Sequence, residues 1–148
     1  MSTRPDQLIR DLGLQPHPEG GRYAEVHRSA AVTSIYFLLG SGEISRWHRI
    51  RSEEIWHFYE GAPLELLQLS PDGSDLERIV LGPCGDRQRP LHRVPGNHWQ
   101  AARSRGDYTL VGCTVAPAFE FADFSLLSDS PSLAAAIRRH HPAVAQFV

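Results

Sequence analysis

Between residues 22 and 126 the chain alternates apolar and polar positions in short runs. These lie near 22–28, 33–39, 43–49, 54–60, 64–69, 76–81, 91–94, 99–102, 107–115 and 119–126. Period-two alternation rich in β-branched and aromatic residues is the signature of a half-buried strand. The runs are separated by turn-forming clusters such as Ser70-Pro71-Asp72-Gly73-Ser74-Asp75 and Gly82-Pro83-Cys84-Gly85-Asp86. About ten short strands at this spacing predict an all-β sandwich or barrel. At both ends the period changes to that of a helix. Over 4–13, Leu8, Ile9 and Leu12 share one face, Thr3 can cap, Pro5 sits in the first turn and Gly13 is placed to stop the helix. Over 131–140, Ser130 can cap, Ala134 to Ala136 favour helix, and Arg138, Arg139 and His140 fall where the dipole favours positive charge.

With 148 residues the chain fits one domain, 1–148, with its β core over about 17–127 and a helix at each end. A formal charge of −2 gives no general attraction to nucleic acid or to anionic membranes, and neither is expected as a partner. All fifteen basic residues are Arg, so chemistry that needs a lysine, such as Schiff bases, pyridoxal-phosphate anchoring or the P-loop, is excluded. The longest apolar-rich run, 30–40, is far short of a membrane span, and no secretory leader is legible at the start. A cytoplasmic location is therefore expected. Cys84 and Cys113 stand apart, without CxxC spacing, and read as reduced thiols.

The candidate chemistry lies in Arg46-Trp47-His48-Arg49-Ile50-Arg51-Ser52-Glu53-Glu54-Ile55-Trp56-His57-Phe58-Tyr59-Glu60-Gly61. Alternation puts Glu54, Trp56 and Phe58 on one face of a strand, and Ile55, His57 and Tyr59 on the other. On the preceding strand, His48 shares a face with Arg46 and Ile44. If residues 49–52 form a hairpin turn, His48 comes beside Glu54. An imidazole and a carboxylate on an apolar inner face are costly to bury without a partner, a ligand or a metal. The alternative is that they hydrogen-bond each other and close a core. A second segment, His17-Pro18-Glu19-Gly20-Gly21-Arg22-Tyr23, is an irregular run in which paired glycines permit close backbone approach. It supplies Glu19 and Tyr23 as ligand-binding candidates, or else forms an edge joining a neighbouring subunit. Arg46, if inward, would bind an anionic group on the ligand.

His48, Glu54 and Gly61 resemble the first motif of the cupin superfamily, with Ile50 where that motif has a second His. Pro95, Asn97 and Gln100 resemble the second motif, with Asn97 at a position that requires positive φ, which Asn tolerates. Further similarity, over about 17–124, is to a short single-domain cupin branch with no assigned reaction. The resemblance implies a single jelly-roll, a double-stranded β-barrel with short flanking helices. It also implies a ligand set of His48, Glu54 and Gln100 for a divalent transition metal (Zn, Ni, Mn or Fe), with Ile50 contributing nothing. His57, on the far face, and His98, in the turn, do not complete that set.

Without a metal, His48 and Glu54 can move protons near neutral pH, with Tyr23, Tyr36 or Tyr108 as the opposing acid. The expected function is an isomerase-like or epimerase-like enzyme, or a weakly metal-assisted one, acting on a small polar and sugar-like metabolite. Trp56, Gln100, Arg46, Tyr23, Glu19 and Tyr108 would surround that ligand. The alternative is a non-catalytic binding or storage cupin. A homodimer is expected, because open jelly-roll edges are commonly paired between subunits.

Overall fold

A computed structural model describes residues 1–148. Helix α1 (Arg4–Leu12) opens the chain, its first turn closed by a reciprocal capping pair. The Thr3 hydroxyl accepts from the Asp6 amide, and the Asp6 carboxylate accepts from the Thr3 amide. Gly13, at φ 65°, ends the helix in the left-handed conformation. Strands follow as β1 (Gln15–Pro16), β2 (Arg22–Arg28), β3 (Thr33–Gly40), β4 (Ile44–Arg49), β5 (Glu53–Gly61) and β6 (Leu64–Leu69). They continue as β7 (Leu76–Leu81), β8 (Leu91–Val94), β9 (Trp99–Ser104), β10 (Tyr108–Ala116) and β11 (Ser125–Leu126). Helix α2 (Pro131–His140) and a 3-10 segment, Pro142–Phe147, close the chain. Ser130 precedes α2 but makes no side-chain cap. No helix is long and apolar enough to cross a membrane.

The strands form two antiparallel sheets, one ordered β1-β2-β3-β10-β5-β8 and the other β11-β4-β9-β6-β7. The closed barrel expected from sequence is therefore a sandwich of two open sheets. No ladder joins the edges β7 and β8; the end of β7 instead makes an isolated bridge, Leu81 with Arg89, to the segment that precedes β8. The expected strand over 119–126 is also corrected. Phe121–Asp123 is a 3-10 turn, and only Ser125 and Leu126 pair with β4. The tight turn packs Phe119 against Phe121, ring centroids 4.8 Å apart, which an extended chain carrying alternate side chains on one face would hold further apart.

Three apolar clusters hold the layers together. Phe37, Leu39, Trp56, Leu64, Leu66 and Val111 fill one end of the space between the sheets. Trp47, Leu67, Trp99, Ile137, Val144 and Phe147 join the outer face of the five-stranded sheet to the C-terminal helices. Leu8, Leu14, Leu38 and Leu110 seat α1 on the outer face of the other sheet. The second and third clusters explain why several strands are apolar on both faces instead of alternating. The first leaves the other end of the inter-sheet space unfilled.

Candidate functional site

That unfilled end is a cavity of about 510 Å³, within the range of small-molecule sites. His48, Glu54, Glu19, His17, Tyr23, Cys113 and Ile50 line it, with Phe119, Phe121 and Phe124. Phe121 is about half exposed and marks the mouth, while Phe124 stacks on the His48 ring at 5.6 Å.

The hairpin expected between β4 and β5 does not form. The two strands belong to different sheets, so residues 50–52 carry the chain across the sandwich. His48 and Glu54 thus reach the cavity from opposite walls. A bulge in β4 also changes its phase, because Ser45 pairs with Ala102 and His48 with Gln100, three steps on one strand against two on the other. Ser45 and His48 therefore both face inward. Arg46 does not share that face, and donates instead to the Pro18 carbonyl at 3.1 Å, outside the cavity.

The direct partner of His48 is Glu19, not Glu54. His48 Nε2 lies 2.9 Å from Glu19 Oε2, and its Nδ1 lies 2.7 Å from the Arg46 carbonyl oxygen. A carbonyl oxygen only accepts, so Nδ1 carries a proton, and with Nε2 facing a carboxylate the ring is held as imidazolium. Burial works against that charge. The Glu19 carboxylate and its hydrogen bond, the Glu54 charge and the Arg46 carbonyl outweigh burial and push His48 up to about 8. Burial also raises Glu19, but His48, His17 and the Ser45 hydroxyl, which donates to Glu19 Oε1 at 2.9 Å, together hold it below the usual carboxylate range.

Glu54 is treated differently by its surroundings. Burial, reinforced by the Glu19 charge, raises it to about 7, against the opposing pull of His48, Gln100 and the Cys113 thiol. Gln100 Nε2 donates to Glu54 Oε1 at 2.6 Å, while Gln100 Oε1 accepts from the indole N–H of Trp56 at 2.7 Å. Indole nitrogen can only donate, so the amide is oriented with its oxygen towards Trp56 and its NH2 towards Glu54. Trp56 and Gln100 are fully buried and do not line the cavity; they position Glu54 from behind.

This orientation bears on the ligand set that the resemblance implies. The Gln100 oxygen is occupied by Trp56, both His48 nitrogens carry protons, and Ile50 stands where the resemblance would have a second imidazole. The set His48, Glu54 and Gln100 does not fit a transition metal, and no group of three His, Cys, Asp or Glu side chains is disposed to hold one. Of the tyrosines, Tyr23 lines the cavity, whereas Tyr108 donates to Glu60 at 2.8 Å under α1 and Tyr36 packs on Tyr59 on the outer face.

A sequence profile of the family described as Cupin superfamily (DUF985) matches residues 6–127. The chain belongs to that family. Protein SO0799 from Shewanella oneidensis, a crystal structure, is 36% identical with a TM-score of 0.88, the alignment covering 99% of this chain and 97% of that one. A hypothetical protein from Leishmania major is 28% identical, also at TM-score 0.88, covering 99% of both chains. An oxalate decarboxylase variant from Bacillus subtilis shares the fold alone, at 14% identity and TM-score 0.65, covering 90% of this chain and 36% of that one. No curated protein matches the chain.

Within this cupin, reading the sequence missed three contributions. The Glu19–His48 pair, the Ser45 hydroxyl and the phenylalanine cluster all depend on contacts between distant segments. The one local signal was the Gly20-Gly21 pair. Gly20 has φ 110°, and a Cβ there would collide with the Ile44 carbonyl, so only glycine lets the 17–21 run lie against β4 and deliver Glu19 to His48.

Proposed function

We propose that this cupin is a metal-independent proton-transfer enzyme for a small polar metabolite, in which Glu54 is the general acid or base. The observation that carries the reading is the Glu54 carboxyl itself. It is buried in a cavity wall, raised to about 7, and oriented by Gln100 and Trp56. A catalytic group works best with a value near the operating pH, because both protonation states are then populated. The His48–Glu19 pair is internally neutralised; of its two charges, His48 opposes the rise of Glu54 and Glu19 adds to it. Aromatic rings of His17, Tyr23, Phe119, Phe121 and Phe124 suit the apolar faces of a sugar-like ligand, and the carboxyl suits its hydroxyls. An isomerase or epimerase is the reaction class that needs no more than this.

The test is turnover on a panel of small sugars and hydroxycarbonyl compounds, with the pH dependence of kcat/KM. If Glu54 acts as base, the rate rises as pH passes about 7, where the carboxyl ionises, and falls beyond about 8 as His48 loses its proton. Glu54→Gln keeps the Gln100 contact and is expected to lower kcat by roughly 10²–10⁴-fold. Turnover that survives this substitution removes the proposal. Ligand binding by both proteins with turnover by neither assigns the cavity to a binding module.

A further inference from the structure

The proton-transfer reading uses the ring faces of His17 but not its nitrogens. His17 has a side chain only 7% exposed, its ring centroid 4.7 Å from that of Tyr23, 5.9 Å from Phe37 and 6.0 Å from Phe124. The Glu19 backbone N–H donates to His17 Nδ1 at 3.1 Å. A backbone amide can only donate, so Nδ1 holds a lone pair and the ring proton sits on Nε2. The Glu19 carboxylate does not reverse this. It lies 3.7 Å from Nδ1, beyond hydrogen-bond range, and its oxygens already accept from His48 and Ser45.

His17 Nε2 has no hydrogen-bond partner in the protein, yet no fully buried side-chain nitrogen or oxygen lacks one. The Nε2–H must therefore reach open space, and the cavity is what His17 lines. A lone N–H donor set in an aromatic wall is costly unless a ligand or water accepts from it, and a ligand that displaces the water must supply the acceptor. Burial keeps the ring neutral, with His48 acting in the same sense against the pull of Glu19.

Charge narrows the ligand further. His48 and Glu19 cancel, and the one arginine of the lining, Arg28, is engaged with Glu25, Glu120 and the Phe119 carbonyl. No unpaired cation is offered to a phosphate or carboxylate, and Glu54 would repel either once ionised.

We propose that His17 Nε2–H is the oxyanion donor of this site, and that the substrate is an uncharged carbonyl compound bearing a hydrogen on the carbon next to the carbonyl. This rests on the reading of Glu54 as base. The adjacent C–H bond breaks and its proton passes to the Glu54 carboxylate. The bonding electron pair moves to form a C=C bond, and the carbonyl π pair becomes an oxyanion that accepts from His17. Return of the proton to either face of the same carbon racemises or epimerises it. Return to the former carbonyl carbon, with a proton shifted between the two oxygens, isomerises a hydroxycarbonyl compound. No oxidant or reductant is needed. A preorganised donor aimed at developing charge contributes strongly because it need not reorganise during the reaction.

The experiment follows deuterium incorporation from D2O by proton NMR into dihydroxyacetone, glyceraldehyde and hydroxyacetone, with pyruvate and dihydroxyacetone phosphate as anionic counterparts. Nitrogen-15 NMR of His17 is recorded alongside. Exchange into at least one neutral compound is expected, faster than into its anionic counterpart and abolished in Glu54→Gln. His17→Ala should slow it by about 10²–10³-fold, mainly in kcat, which is the usual loss for one oxyanion donor. His17→Gln, which keeps an N–H, should recover part of the rate. If His17→Ala fails to fold, His17→Gln and the nitrogen spectrum, expected to show a neutral ring protonated at Nε2, decide the matter.

Unchanged exchange in His17→Ala, a proton on Nδ1, or faster exchange of the anions overturns the inference. So does an absence of exchange in every neutral compound. In that case, turnover of a non-carbonyl substrate that is lost in Glu54→Gln leaves the proton-transfer reading standing, and turnover that survives the substitution removes both.

Discussion

Glu54 is held where ionisation is costly, and stability should register that cost. Its carboxyl moves from an ordinary 4.5 to about 7 on folding, so the folded state binds the proton more tightly than the unfolded chain. The penalty is absent below 4.5, grows as pH rises and is complete above 7, at most on the order of 3 kcal/mol. His48 moves from 6.5 to about 8, so its contribution is full below 6.5 and is lost as pH rises through 8. Glu19 is lowered, so its contribution is present at neutral pH and is lost only in acid. The expected result is a thermal midpoint that falls between pH 5 and 9. Glu54→Gln should raise the midpoint at pH 8 more than at pH 4.5, which calorimetry across that range would measure. Such a gain accompanied by lost turnover is the usual mark of a functional buried charge. Some of this was legible from single residues. Asn97 was expected at positive φ and adopts 64°, and His48 and Glu54 both line the cavity, though from opposite walls and not as a hairpin pair. The identity of His48's partner was not legible, because Glu19 is 29 positions away and nothing in local alternation links the two.

Among the elements, β4 shows where alternation fails. One extra residue in its pairing with β9 turns Arg46 out and Trp47 onto the helical layer, leaving Ser45 and His48 inside. A bulge has no composition signature, so period-two reading carried Arg46 inward with His48. On β5 the same reading holds, with Trp56 and Phe58 packed in the inter-sheet core and His57 stacked on Tyr59 outside. The 17–21 run depends on Gly20. Gly20→Ala, strained by its φ and in collision with Ile44, is expected to destabilise the protein by about 1–3 kcal/mol. It should also displace Glu19. The His48 titration, followed by NMR, should then drop below about 8, whereas an unchanged titration would show that Glu19 is held by other means.

For the molecule as a whole, the layers outside the sandwich matter as much as the space within it. Trp47 is 1% exposed, its indole N–H donates to the Val144 carbonyl at 3.0 Å, and it packs on Phe147. It is one residue from His48 and ties β4 to the C-terminal segment. Trp47→Ala is expected to cost about 3–5 kcal/mol in urea unfolding, the usual range for a large buried aromatic. Because alternation seats Trp47 and His48 on opposite faces of β4, a loss much smaller than this would mean that the helical layer does little to hold the site.

The positions of most strands, both terminal helices and the inward face of β5 follow from the sequence alone, since they depend on spacing, capping and side-chain period, which are local properties. Folding across the two sheets settled the rest: which carboxylate meets His48, which way Gln100 turns its amide, and that His17 presents a donor to the cavity. These depend on distances between segments far apart in the chain and on hydrogen-bond direction, neither of which a linear pattern encodes.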